Sequence, residues 1–233
     1  MFIYSHIVYV SNITISLRFF KLLYNASNII MGKGPYANYP HMPNEDRKLF
    51  YKYLEKASTY FEYGSGGSTY FASTKGNINK IYSVENDKKF LEILDKRIRD
   101  KNKTVELVWL YVETNTQFAK WGQPSHNVRN EQCISYSNQL SNLTNEEIKQ
   151  IDFILIDGRF RVACCLKCFD LISDTCLIAF DDFIPRKNIY GIVLEYYNII
   201  DKSISNSMVI LQKKTNINSI PLELIQKYEL DKS

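Results

Sequence analysis

Residues 151–158 read IDFILIDG, an apolar run with almost no interruption that ends on an acid and a glycine. A strand with one wet face alternates apolar and polar side chains. A continuous run is buried on both faces, which is the condition of a central strand in a parallel sheet sheathed by helices. The rest of the chain supplies what such a strand needs. TYFEY (59–63), IYSVE (81–85), VELVWLYV (105–112), TCLIAFDDF (175–183), YYNII (196–200) and SMVILQKK (207–214) read as further short strands. Between them lie helical spacings: Leu49, Phe50, Tyr53 and Leu54 behind a cap at Asn44; Phe90, Leu91, Ile93, Leu94 and Ile98; and RVACCLKCFDLI from 161. Thr144 and Glu147 make a capping box for a short helix inside the long polar connection over 113–150. The alternation predicts an α/β fold: a doubly wound, mostly parallel seven-stranded sheet whose last two strands close as an antiparallel hairpin.

The 233 residues, 45% of them apolar, suffice for one such domain and not for two. We place the domain at 42–233 and treat 1–41 as an N-terminal extension. Residues 1–43 carry Arg18, Lys21 and Lys33 and no acid, while 1–30 are rich in Ile, Phe and Tyr. Polar residues interrupt that stretch too often for a membrane span. A targeting peptide, a functional start at Met31 and an extra element packed on the domain all fit it. A net charge of +4 argues against a nucleic-acid-coating surface. Five cysteines, an odd number with Cys164, Cys165 and Cys168 crowded together, fit core thiols of a cytoplasmic protein better than a disulfide framework or a metal site.

The chemistry-bearing residues fall at the ends of the predicted strands. FEYGSGGSTY places Glu62, Gly64, Ser65 and Gly66 in a turn between strand and helix, where the missing Cβ atoms let a backbone approach a ligand. The dinucleotide fingerprint needs a glycine at 69, which is Thr69, so an NAD-dependent oxidoreductase is the weaker reading. Glu85 ends the next strand, at the distance where an acid can accept from both hydroxyls of a ribose; Asp87 fits the plainer role of helix-start acid. Asp157 follows the fourth strand and Asp181 and Asp182 follow the fifth, so all three should converge on the ligand crevice. Three carboxylates there need solvent, protons or a cation. Arg159 and Arg161 either clamp a substrate anion or pair with these acids. Trp121, Gly122 and Pro124 sit where lids and binding loops form, and His126 is a surface histidine before it is a base.

The E-x-G-x-G turn at 62–66 followed by the acid Glu85 resembles the first motifs of class I S-adenosylmethionine-dependent methyltransferases. The strings EYGSGGST (62–69), YSVEND (82–87), WGQP (121–124) and DGRFRVACCLK (157–167) resemble a methyltransferase-like group of bacteria and plants, over roughly 42–212. The resemblance implies the Rossmann-like methyltransferase fold and S-adenosylmethionine, with Glu62 toward the amino group of its methionine part, Gly64, Ser65 and Gly66 beneath it, Glu85 on the ribose and Asp157 beside it. An Asp after strand four with an Asp-Asp pair after strand five also looks like the Mg site of sugar and catechol O-methyltransferases. That likeness implies Asp157, Asp181 and Asp182 as metal ligands, and Asp157, Asp182 and Arg159 as the catalytic set. The expected activity is methyl transfer to a hydroxyl of a small molecule such as a sugar, by a chain that binds no nucleic acid, does not insert stably in a membrane and is compatible with a homodimer. The alternative from another class is a non-catalytic adenosyl-binding module.

Overall fold

A computed structural model describes residues 33–75, 77–101, 104–118, 120–204 and 207–231. Residues 1–32 lie outside it, and with them the readings of 1–30 made above. Seven strands form one sheet: β1 (Thr59–Tyr63), β2 (Lys80–Glu85), β3 (Glu106–Tyr111), β4 (Phe153–Ile156), β5 (Leu177–Phe180), β6 (Tyr197–Lys202) and β7 (Val209–Lys213). Their order is β3-β2-β1-β4-β5-β7-β6. β1 to β5 pair in parallel, and β7 runs antiparallel to both β5 and β6.

Burial on two faces explains the continuous apolar runs. Phe61, Tyr63, Ile154, Ile156, Ile178 and Phe180 point into one core. Their neighbours Tyr60, Phe153, Leu155, Ala179 and Ile210 point into the other. The first core is closed by α4 (Asn130–Ser137), α6 (Arg161–Phe169) and α8 (Leu222–Tyr228), the second by α1 (Asn44–Leu54) and α2 (Gly67–Lys75). The remaining helices are α3 (Lys88–Lys101), α5 (Asn145–Lys149) and α7 (Lys187–Tyr190). Helix α5 carries the expected capping box, Glu147 N–H donating to Thr144 Oγ1 at 3.2 Å and Thr144 N–H to Glu147 Oε2 at 3.0 Å. Asn44 is not a cap: the cap position of α1 is Pro43, whose missing N–H costs nothing at a helix start. Among the described residues, no helix is long and apolar enough to cross a membrane.

The described part of the extension belongs to this body. The 3-10 turn at Gly34–Tyr36 lies on α3, and the chain then runs as a strap over the start of α2. Arg97 of α3 donates to the carbonyl oxygens of Pro35 and Ala37 and to Asn38 Oδ1, and lies over the rings of Tyr36 and Tyr70. The strap passes so close to Gly67 that a Cβ there would lie 1.8 Å from the Tyr39 carbonyl oxygen.

Candidate functional site

Strand order reverses between β1 and β4, and in open α/β sheets that reversal opens a crevice at the carboxyl ends of the strands. Here the turns after β1 and β4 touch. Gly64 has φ 97°, and a Cβ on it would lie 2.7 Å from Gly158 Cα. A Cβ on Gly158 would lie 2.2 Å from the Tyr136 hydroxyl. Gly66 differs, because the nearest atom to a Cβ there is Phe90 Cζ at 4.0 Å, which leaves the turn open on that side. The Ser65 hydroxyl turns back onto β2, 2.8 Å from Ser83 Oγ and donating to the Val84 carbonyl at 3.2 Å, so Ser65 presents backbone to the crevice.

Glu62 lies behind this turn, fully buried. Register places it beside Ser83 of β2. Its Oε2 accepts from Tyr60 (2.9 Å) and Ser68 (2.7 Å), and its Oε1 from Ser83 (2.7 Å) and Thr69. Burial raises its pKa while the four hydroxyls pull it back. The carboxylate, expected toward the methionine amino group, fastens the glycine turn to β2 and α2.

Glu85 stands at the open end of β2. Its Oε1 accepts from the N–H groups of Asn86 (2.8 Å) and Asp87 (2.7 Å), and among the described residues Oε2 has no partner. Burial pushes its pKa up to about 7 against those two N–H groups. Asp87 takes the helix-start role, Oδ1 accepting from Phe90 N–H at 3.0 Å.

The three aspartates converge as the strand ends require, but a guanidinium sits among them. Arg161 Nη2 donates to Asp157 Oδ1 (2.9 Å) and to the Asp157 carbonyl (3.2 Å). Its Nη1 donates to the Asp181 carbonyl (2.8 Å) and Asp182 Oδ2 (3.4 Å), and its Nε to the Gly158 carbonyl (3.0 Å). All five N–H groups are thereby used. Asp181 is buried beside Asp157, and burial together with that neighbour drives its pKa up to about 9. Burial also raises Asp157, against the opposing pull of Arg161. A divalent cation wants ionised oxygens that are not already spent. Among the described residues no group of three or more His, Cys, Asp or Glu is arranged to hold a metal ion, and Arg161 occupies oxygens of Asp157 and Asp182 that Mg would need.

Arg159 turns the other way. Phe160 between the two arginines has φ 56°, which redirects the chain, and Arg159 Nε and Nη2 donate to the Trp121 carbonyl at 3.1 and 2.9 Å. Asn86, next to Glu85, donates to the Gly122 carbonyl at 2.7 Å and to Thr114 at 2.6 Å. The WGQP loop is thus tied to the ends of both β2 and β4. The Trp121 ring packs against His41 of the strap, centroids 4.9 Å apart, and His41 is near enough to Asp157 to favour its ionised form. Arg161 pairs with the acids, one of the two roles its spacing offered; His41 and Asn86 complete the site, and sequence reasoning assigned neither of them to it. His126 is exposed and joins nothing there. The five cysteines are buried, with Cys164, Cys165 and Cys168 inside α6 and burial driving their thiols upward, which fits packing rather than metal.

Neither a scan of known protein families nor a search of curated proteins found a match. Solved structures do match. The chain is similar to a methyltransferase-like protein from Silicibacter pomeroyi, with a TM-score of 0.69 and 21% identity over 82% of this chain and 97% of that one. It is also similar to the O-methyltransferase from Bacillus cereus, determined in complex with SAH, with a TM-score of 0.50 and 15% identity over 76% and 86% of the two chains. At these identities the likeness speaks for architecture: the chain has the Rossmann-like methyltransferase fold, a seven-stranded mixed sheet with helices on both sides.

Proposed function

We propose that this chain transfers a methyl group from S-adenosylmethionine to a hydroxyl of a small polyhydroxylated acceptor such as a sugar. The observation that carries the reading is the pairing, at the switch point, of a glycine turn open at Gly66 with a buried carboxylate, Glu85, that keeps one oxygen uncommitted. A ribose offers two hydroxyl donors to such a carboxylate. When bound, S-adenosylmethionine supplies an electrophilic methyl on a sulfonium centre. The chain does the rest. Gly64, Ser65 and Gly66 give backbone to the crevice, and Asp157, one quarter exposed, takes the proton of the acceptor hydroxyl. Burial makes Asp157 a stronger base than an ordinary aspartate, while Arg161 fixes its orientation.

The cofactor half of this reading is tested by titration calorimetry with S-adenosylhomocysteine. Glu85→Ala should cost about 1–3 kcal/mol, the range for charge-assisted hydrogen bonds. Only the ionised carboxylate accepts from both hydroxyls, so wild-type affinity should rise with pH through about 7. Glu85→Gln should bind more weakly and without that slope. The same group acts oppositely on the ligand-free fold. Its folded pKa is raised, so its contribution to stability is complete below the ordinary carboxylate range and is lost as pH rises through about 7. An affinity that is flat with pH and indifferent to Glu85 would remove the ribose assignment.

The acceptor half predicts turnover without a metal. Excess chelator should leave the rate on a responsive acceptor unchanged, while Asp157→Asn abolishes it and spares S-adenosylhomocysteine binding. A chelator-sensitive rate restored by Mg would overturn this assignment of the aspartates.

A further inference from the structure

Trp121 is 68% exposed, yet its backbone is held from several directions. It adopts φ 54°, a conformation that costs a non-glycine residue energy unless its surroundings enforce it. Arg159 grips its carbonyl twice, Asn86 holds the carbonyl of Gly122, and the Gly122 Cα faces Asn86 so closely that a Cβ would lie 2.6 Å from Oδ1. Thr116 Oγ1 donates across the loop to the Gln123 carbonyl at 2.7 Å. An aromatic residue that anchors a loop buries its ring. This one fixes the loop and leaves the ring in the open, against His41, which is itself exposed.

Charge points to the same place. Arg159 lies within the electrostatic reach of Arg161 and Arg186. Arg161 is spent on Asp157, Asp182 and three carbonyls, and Arg186 meets Asp182 at 3.4 Å and Tyr190 at 2.9 Å. Among the described residues Arg159 has no carboxylate at ion-pair distance and its Nη1 donates to nothing. A guanidinium without a carboxylate partner is a receptor for phosphate or carboxylate. We propose that Trp121, His41 and Arg159 form a subsite for an anionic sugar, with the face of the sugar ring on Trp121 and its phosphate or carboxylate on Arg159. The proposal rests on the methyltransferase reading only in making that sugar the methyl acceptor.

The chain has two tryptophans, and Trp109 on β3 is tied to Asp95 at 2.7 Å. Trp109→Phe therefore leaves Trp121 as the fluorescent reporter in the full chain. Titration with glucose 6-phosphate and with glucuronate distinguishes phosphate from carboxylate, and glucose is the neutral control. At least one charged sugar should change the Trp121 emission saturably, and glucose should not. Arg159→Gln keeps an N–H for the Trp121 carbonyl and loses the charge, and should weaken the response about tenfold. Arg159→Lys should retain part of it. S-adenosylhomocysteine binding, measured by calorimetry on the same proteins, reports whether the methyltransferase reading stands. If it fails while the sugar response survives, the subsite is real and its sugar is not an acceptor. Equal responses to glucose and the charged sugars, no saturable response to either charged sugar, or an unchanged response in Arg159→Gln would each overturn the proposal.

Discussion

Replacing Arg161 with leucine should destabilise the folded chain by about 3–5 kcal/mol, the cost of leaving a buried charge without its partner. The guanidinium is 10% exposed and ties Asp157 and Asp182 to the carbonyl oxygens of Asp157, Gly158 and Asp181. Its loss strands an anion and uncaps the junction of β4 and β5 together. Urea denaturation measures the effect. Adding Asp157→Asn and Asp182→Asn to the leucine variant should recover part of the loss, because the repelling charges go with them. A loss below about 1 kcal/mol, the scale of an exposed ion pair, would show that solvent rather than Arg161 balances these acids.

Glu62→Ala should be comparably damaging, also about 3–5 kcal/mol, since several buried donors lose their acceptor at once. Tyr60, Ser68, Thr69 and Ser83 all direct hydroxyls at this carboxylate. The variant should melt earlier and bind S-adenosylhomocysteine poorly even below its melting temperature, because the glycine turn loses its fastening to β2 and α2. Glu62→Gln preserves the shape and lets the hydroxyls rotate, and should fall between the two. Normal melting with selectively lost binding would instead place the Glu62 side chain in contact with the ligand.

Periodicity and burial carry the sheet. IDFILIDG, TYFEY and IYSVE are strands with two dry faces, and their shortness and β-branched or aromatic content separate them from buried helix. The strand-end acids follow, because a parallel sheet delivers its carboxyl ends to one edge. What the sequence could not convey is direction. Arg159 and Arg161 are two positions apart and equally suited to an acid cluster; only the left-handed turn at Phe160 sends one toward the aspartates and the other toward Trp121. That turn is unusual for phenylalanine and has no local signature. Counting three acids without a lysine suggested a metal, whereas the neutralising charge is an arginine on the next helix. His41 fell outside a boundary drawn at 42, since its contacts are made across the fold rather than along the chain. Helix α8, Leu222–Tyr228, is too short for its spacing to stand out after the last strand.

The strap has a consequence for synthesis on the ribosome. It leaves the exit tunnel before its seat is made: Arg97, which holds it, comes 62 residues after Pro35. Closing so long a loop costs chain entropy that the contacts of α3 must offset. Gly158, which packs against Gly64, is made later still. A nascent chain stalled before β4 would hold the glycine turn with one wall absent. The packed form of the glycine turn should therefore arise late in translation, although the turn itself is made well before the wall it packs against.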